Sequence, residues 1–103
     1  MQFNLPEIDW KSMKEFKTGR EWDIPLQLKK IGEEYGEVCE AVARGVTPEI
    51  IEESLDVMQT CKTLIEMELA RHFHHDRIEN ILNAYLMEHL DKLKNKGYLK
   101  KEE

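Results

Sequence analysis

The chain has 103 residues, enough for one domain with a thin hydrophobic core. Its 41% hydrophobic and 35% charged residues exclude a disordered chain, and no apolar run approaches the length of a membrane span. A net charge of −6, from 15 basic and 21 acidic residues, argues against binding of a nucleic-acid polymer through its phosphates and suits either solubility or a bound cation.

The first residues, 1–8, read as an extended arm, without the basic region and apolar run of a secretory leader. Asp9 to Phe16 is expected to form a short helix with Trp10, Met13 and Phe16 on one side, broken by Thr18 and Gly19. Asp23 and Pro25 are a helix start. From Pro25 to Arg44, the residues Leu28, Ile31, Tyr35, Val38 and Val42 alternate by three and four, the mark of an amphipathic bundle helix that Gly45 ends. Thr47-Pro48-Glu49 starts the next helix, with the Thr47 hydroxyl as the expected cap. Its apolar stripe, Ile50, Ile51, Ser54, Val57, Met58, Cys61, Leu64 and Ile65, is wide enough to be covered on more than one side.

No Gly or Pro interrupts the sequence from Glu49 to Lys96, yet one helix of that length is improbable. The apolar rhythm fades through Arg71-His72-Phe73-His74-His75-Asp76, which places a turn there with Asp76 as a cap. A third helix is expected from about His75 to Asn95, carrying Ile78, Ile81, Leu82, Tyr85, Leu86 and Leu93, with Gly97 as its stop. The tail from Lys100 to Glu103 is expected to fray. The resulting fold class is all-α: a helical bundle of three long helices plus a short N-terminal helix, oligomerising through the long helices.

Two segments carry the chemistry, Glu33-Glu34-Tyr35-Gly36-Glu37 and Glu52-Glu53-Ser54-Leu55-Asp56. In each, carboxylates three residues apart share a helix face, where like charges repel unless a cation lies between them. On a helical projection Glu34 and Glu37 lie roughly 80° and 140° from their apolar centre, and Glu53 and Asp56 roughly 90° and 150° from theirs, in the same sense. Two antiparallel helices joined by the short Gly45-Val46-Thr47 turn can therefore point both pairs into one cleft or both away from it. A lone Glu-x-x-Glu is usually a solvated face; two on consecutive helices beside their apolar stripes are a candidate metal site.

Glu34-x-x-Glu37, followed by a short linker and Glu53-x-x-Asp56, resembles the MazG-like all-α nucleoside triphosphate pyrophosphohydrolases. The contexts GEEYGEVCEAV and IEESLDVMQ are similar to the family's, and Lys92-Leu93-Lys94-Asn95-Lys96-Gly97-Tyr98 looks like the ending of its short, phage-type members. The resemblance covers about residues 25–99 of a single domain, 1–103. Leu90 stands where members often carry Asn, and Lys96 where a basic residue is often Arg.

The resemblance implies hydrolysis of a (d)NTP between its α and β phosphates to monophosphate and pyrophosphate. It implies Mg²⁺, with Mn²⁺ as the ion able to stand in its place, held by Glu34, Glu37, Glu53 and Asp56. Glu37 and Glu53 are the candidate catalytic acids, Glu37 for polarising the attacking water. Lys92 and Lys96 are candidate phosphate contacts, and Trp22 either stacks on a base or packs. A homodimer or homotetramer in the cytoplasm completes the expectation. Phosphoribosyl-ATP pyrophosphohydrolases share the same acids and fold. A non-catalytic helical interaction module, with its acids serving solubility, is the rival of a different kind, and Mg²⁺ should not stabilise it.

The remaining candidates have structural readings. His72, His74 and His75 read as a polar connector rather than a metal site, and His89 as a partly buried bundle histidine. Met58, Met67 and Met87 read as core filler. Cys39 and Cys61 read as buried reduced thiols, with a Cys39–Cys61 bridge left open.

Overall fold

The structure, a computed structural model, describes residues 4–100. The first three residues of the expected arm and the tail Lys101 to Glu103 lie outside the described residues. Asp23 starts the first long helix as the sequence predicts: its carboxylate accepts the Leu26 N–H at 3.0 Å, and Pro25 needs no amide partner. Helix α1 spans Ile24–Arg44 and ends at Gly45, whose φ of 70° lets its N–H reach the carbonyls of Ala41 and Val42. Only Gly45 and Val46 separate α1 from α2, Thr47–Ala70, so the two form an antiparallel hairpin. Arg44 clasps the turn through Glu49 at 2.9 Å. The expected Thr47 hydroxyl cap is not made. Val46 takes the cap position and its carbonyl accepts the Ile50 N–H at 3.0 Å, because Thr47 already has helical geometry.

The contact between α1 and α2 differs from the predicted stripes. On α1 the inward ridge runs through Gln27, Ile31, Glu34, Val38 and Ala41, with Gln27 and Ala41 fully buried. On α2 the buried residues are Thr60, Thr63, Glu66, Met67 and Leu69. The two threonine hydroxyls are satisfied within α2 itself, by the carbonyls of Val57 at 2.8 Å and Gln59 at 3.0 Å, so each presents its methyl to the core. Gln27 is held across the interface by the Thr60 carbonyl, to which it donates at 2.8 Å.

The larger apolar residues fall outside this seam. Leu28, Tyr35 and Val42 on α1, and Ile51, Met58 and Ile65 on α2, are between 43% and 62% exposed. Cys39 and Cys61 are free and exposed, contrary to the expected burial. Of the methionines read as core filler, Met67 is buried while Met58 and Met87 are exposed, and His89 is exposed too.

The segment before α1 is a 3-10 turn, Trp10–Ser12, in place of the expected short helix. An antiparallel bridge between Lys14 and Glu21 follows, closed by Trp22 N–H to the Met13 carbonyl at 3.2 Å. The Glu15 carboxylate explains the change: it captures both the Thr18 N–H at 2.7 Å and the Thr18 hydroxyl at 2.6 Å, a local arrangement that competes with helix. These bonds also hold the Glu15 carboxyl below its ordinary pKa. Phe16, expected on one side of the short helix with Trp10 and Met13, is 98% exposed. The arm is anchored on α2, where the Pro6 carbonyl accepts from Gln59 at 2.9 Å and from Lys62 at 3.3 Å.

This first unit ends at Arg71, and His72 begins a second. The second unit holds α3, His75–Asn95, at the predicted bounds. His74, not Asp76, occupies its N-cap position. At its other end Gly97 adopts φ 75° and the Tyr98 N–H reaches back to the Leu93 carbonyl at 3.0 Å, so the predicted glycine stop is made. Among the described residues there are three α-helices, no named strand and no helix long and apolar enough to cross a membrane.

Candidate metal centre

The hairpin brings the predicted acids together. Glu34 and Glu37 come from α1, Glu53 and Asp56 from α2, and one carboxylate oxygen from each lies within 4.8 Å of all the others. The three-residue spacing aligns each pair on its own helix, and the tight turn at Gly45 sets the two pairs at the same level. Glu34 and Glu53 are half-buried, whereas Glu37 and Asp56 are exposed, so the group opens to solvent on one side.

Its electrostatics are those of crowded acids. The inner oxygens, Oε2 of Glu34 and Oε2 of Glu53, are shielded from solvent, and no donor among the described residues reaches them. Such oxygens lack the hydrogen bonds that buried polar atoms normally keep. A hydrogen bond with Glu37 raises the Glu53 carboxyl to about pKa 7, with lost hydration and the charges of Glu37, Asp56 and Glu34 acting in the same direction. Lost hydration also raises Glu34, reinforced by repulsion from Glu37 and opposed by Lys30. The Lys30 ammonium stands 3.8 Å from Glu34 and brings a cation to the edge of the group. Lys30 is not among the expected site residues, although its four-residue spacing from Glu34 is a signal for the pair.

A hard divalent cation fits this donor set. Mg²⁺ takes oxygen ligands and carboxylates above all, and two shielded oxygens without donors are lone pairs ready for one. The other site candidates are placed elsewhere. Trp22 donates its indole N–H to the buried Gln27 at 2.7 Å, which fixes the ring as part of the fold. The same ring lines an open cavity of about 510 Å³ with Trp10, Ile24, Met67 and Arg71. Ile24 precedes Glu34 by ten residues, so the cavity begins roughly 15 Å along α1 from the acids. Lys92 lies on α3 and Lys96 at its C-terminal cap, both in the second unit, so the hairpin that carries the acids does not itself contain them.

No family model, curated protein or solved structure matches the chain.

Proposed function

We propose that this chain is a Mg²⁺-dependent nucleoside triphosphate pyrophosphohydrolase of the MazG-like kind, cleaving (d)NTPs between the α and β phosphates. One observation carries the reading: four carboxylates from two helices converge within 4.8 Å, and two of their inner oxygens lack any donor among the described residues. A group that serves only solubility gains nothing from such crowding, because like charges at this range repel.

Glu34, Glu37, Glu53 and Asp56 would hold the ion, which when bound neutralises charge on the triphosphate and on the departing pyrophosphate. Glu37, exposed at the rim, takes a proton from the attacking water. The water oxygen bonds to the α-phosphorus as the bond from that phosphorus to the bridging oxygen breaks, and pyrophosphate leaves. Lys30 meets phosphate oxygens as a point charge.

The enzyme works as a cytoplasmic homodimer or homotetramer. The exposed residues Leu28, Tyr35 and Val42, and Ile51, Met58 and Ile65, recur every seven positions on both hairpin helices. That spacing is the seam of a helical bundle, and a second copy supplies the missing partner. Pyrophosphate release from a panel of canonical and modified (d)NTPs tests the proposal. Release should need Mg²⁺ or Mn²⁺ and should fall at least about 100-fold in Glu53→Gln. A mutant with wild-type turnover removes the assigned site. A folded chain that hydrolyses no nucleotide and is not stabilised by Mg²⁺ removes the enzyme reading.

A further inference from the structure

The segment before α3 carries a second group of metal-ligand side chains, chemically unlike the first. His74, His75 and Asp76 each offer a donor atom, all within 4.8 Å of one another. The His75 Nε2 lies 2.8 Å from one Asp76 oxygen, and the His74 Nδ1 lies 3.3 Å from the other. The two imidazoles stack obliquely with centroids 4.4 Å apart, which turns both rings to the same carboxylate. Donor atoms around a tetrahedral or octahedral ion with bonds of about 2.0–2.2 Å lie roughly 2.8–3.6 Å apart, a range that holds both nitrogen–oxygen separations when the Asp76 carboxylate chelates through its two oxygens.

The Asp76 N–H also donates to the His74 Nδ1 at 3.4 Å, and the same nitrogen lies 3.3 Å from an Asp76 carboxylate oxygen, so the three side chains are gathered at the start of α3.

We propose that His74, His75 and Asp76 form a surface site for a borderline transition-metal ion, Zn²⁺, Ni²⁺ or Cu²⁺, at the start of α3. Two imidazoles and one carboxylate select against Mg²⁺, which demands oxygen ligands, and favour the later first-row ions. The site is distinct from the four-carboxylate group, whose all-oxygen donors select the hard ions. Both imidazoles are largely exposed, so water completes the coordination sphere and the ion exchanges readily. The chelate joins the residue before α3 to the second residue of its first turn. Metal binding therefore secures the helix start, replacing a 3.4 Å cap bond with coordination.

The test is calorimetric titration of the untagged full chain with Ni²⁺, Cu²⁺ and Zn²⁺, in a non-chelating buffer holding millimolar Mg²⁺ to occupy oxygen-only sites. One equivalent should bind per chain. The affinity should rise from Ni²⁺ to Cu²⁺ and fall again to Zn²⁺, as the Irving–Williams order requires. His74→Ala and His75→Ala should each weaken Ni²⁺ binding at least about tenfold, while His89→Ala leaves it unchanged. Circular dichroism separates this loss from unfolding, and amide exchange in the first turn of α3 should slow when Ni²⁺ is added. Binding that survives both histidine substitutions, that Mg²⁺ displaces, or that is absent from the wild type overturns the proposal.

Discussion

Glu53→Gln tests the carboxylate group through its protons before any activity is measured. In the folded chain the Glu53 carboxyl is raised from 4.5 to about 7, first by its hydrogen bond to Glu37, then by lost hydration and three neighbouring acids. A raised carboxyl favours the protonated folded state. Its stabilising contribution is fully present below 4.5 and is lost as pH rises through about 7. Between those values the folded chain holds up to about one proton more than the unfolded chain at this site. Glutamine imitates the protonated acid and cannot ionise. Without metal, wild type and Glu53→Gln should melt close together near pH 5, and the mutant should melt higher near pH 8. Taking the difference between the two proteins cancels the titration of groups outside the four-carboxylate cluster.

Mg²⁺ should reverse the ranking at pH 8. At a free concentration one hundred times its dissociation constant, a ligand of the folded state adds about 2.7 kcal/mol. For a chain of this size that is roughly 10–20 °C in melting temperature. Glu53→Gln, short of one ligand charge, should keep little of the gain. Differential scanning calorimetry from pH 5 to 8, in EDTA and in Mg²⁺, reads both effects. A melting difference that stays flat with pH, or an equal Mg²⁺ gain in the two proteins, would refute the reasoning.

Gln27→Ala should lower the melting temperature by roughly 8–16 °C, since the buried amide's bonds to Trp22 at 2.7 Å and Thr60 at 2.8 Å contribute about 1 kcal/mol each; unchanged thermal unfolding would contradict the role given to this residue. Gly45→Ala should cost about 1–2 kcal/mol in urea unfolding, because its φ of 70° is strained for any side chain although open space surrounds it. Equal stability would mean that the turn relaxes out of the left-handed region. Tyr35→Glu should dissociate the assembly, placing a charge in the exposed seam. Sedimentation velocity at micromolar concentration should find a dimer or larger species for wild type and a monomer for the mutant, and a wild-type monomer would end the self-association reading.

Local chemistry made the helices legible. Asp23 with Pro25, Gly45 and Gly97 act within one turn of their own positions, so start and stop signals could be read without tertiary knowledge. The acids were legible for a related reason. Three-residue spacing aligns each pair, and a two-residue turn leaves the helices no choice but to lie antiparallel. Whether the two pairs faced inward together was not local, and only the folded hairpin decided it. The core was the least legible. Periodicity marks every apolar position but does not say which stripe meets which helix. The buried positions include Ala41, Thr60 and Thr63, and a threonine that satisfies its hydroxyl on its own helix packs as an apolar residue despite its polarity. The larger stripe of Tyr35 and Met58 was thereby left outside the seam. The histidine run shows the same division: its sequence lacks any recognised ligand spacing, and only the turn before α3 brings His74, His75 and Asp76 within 4.8 Å of one another.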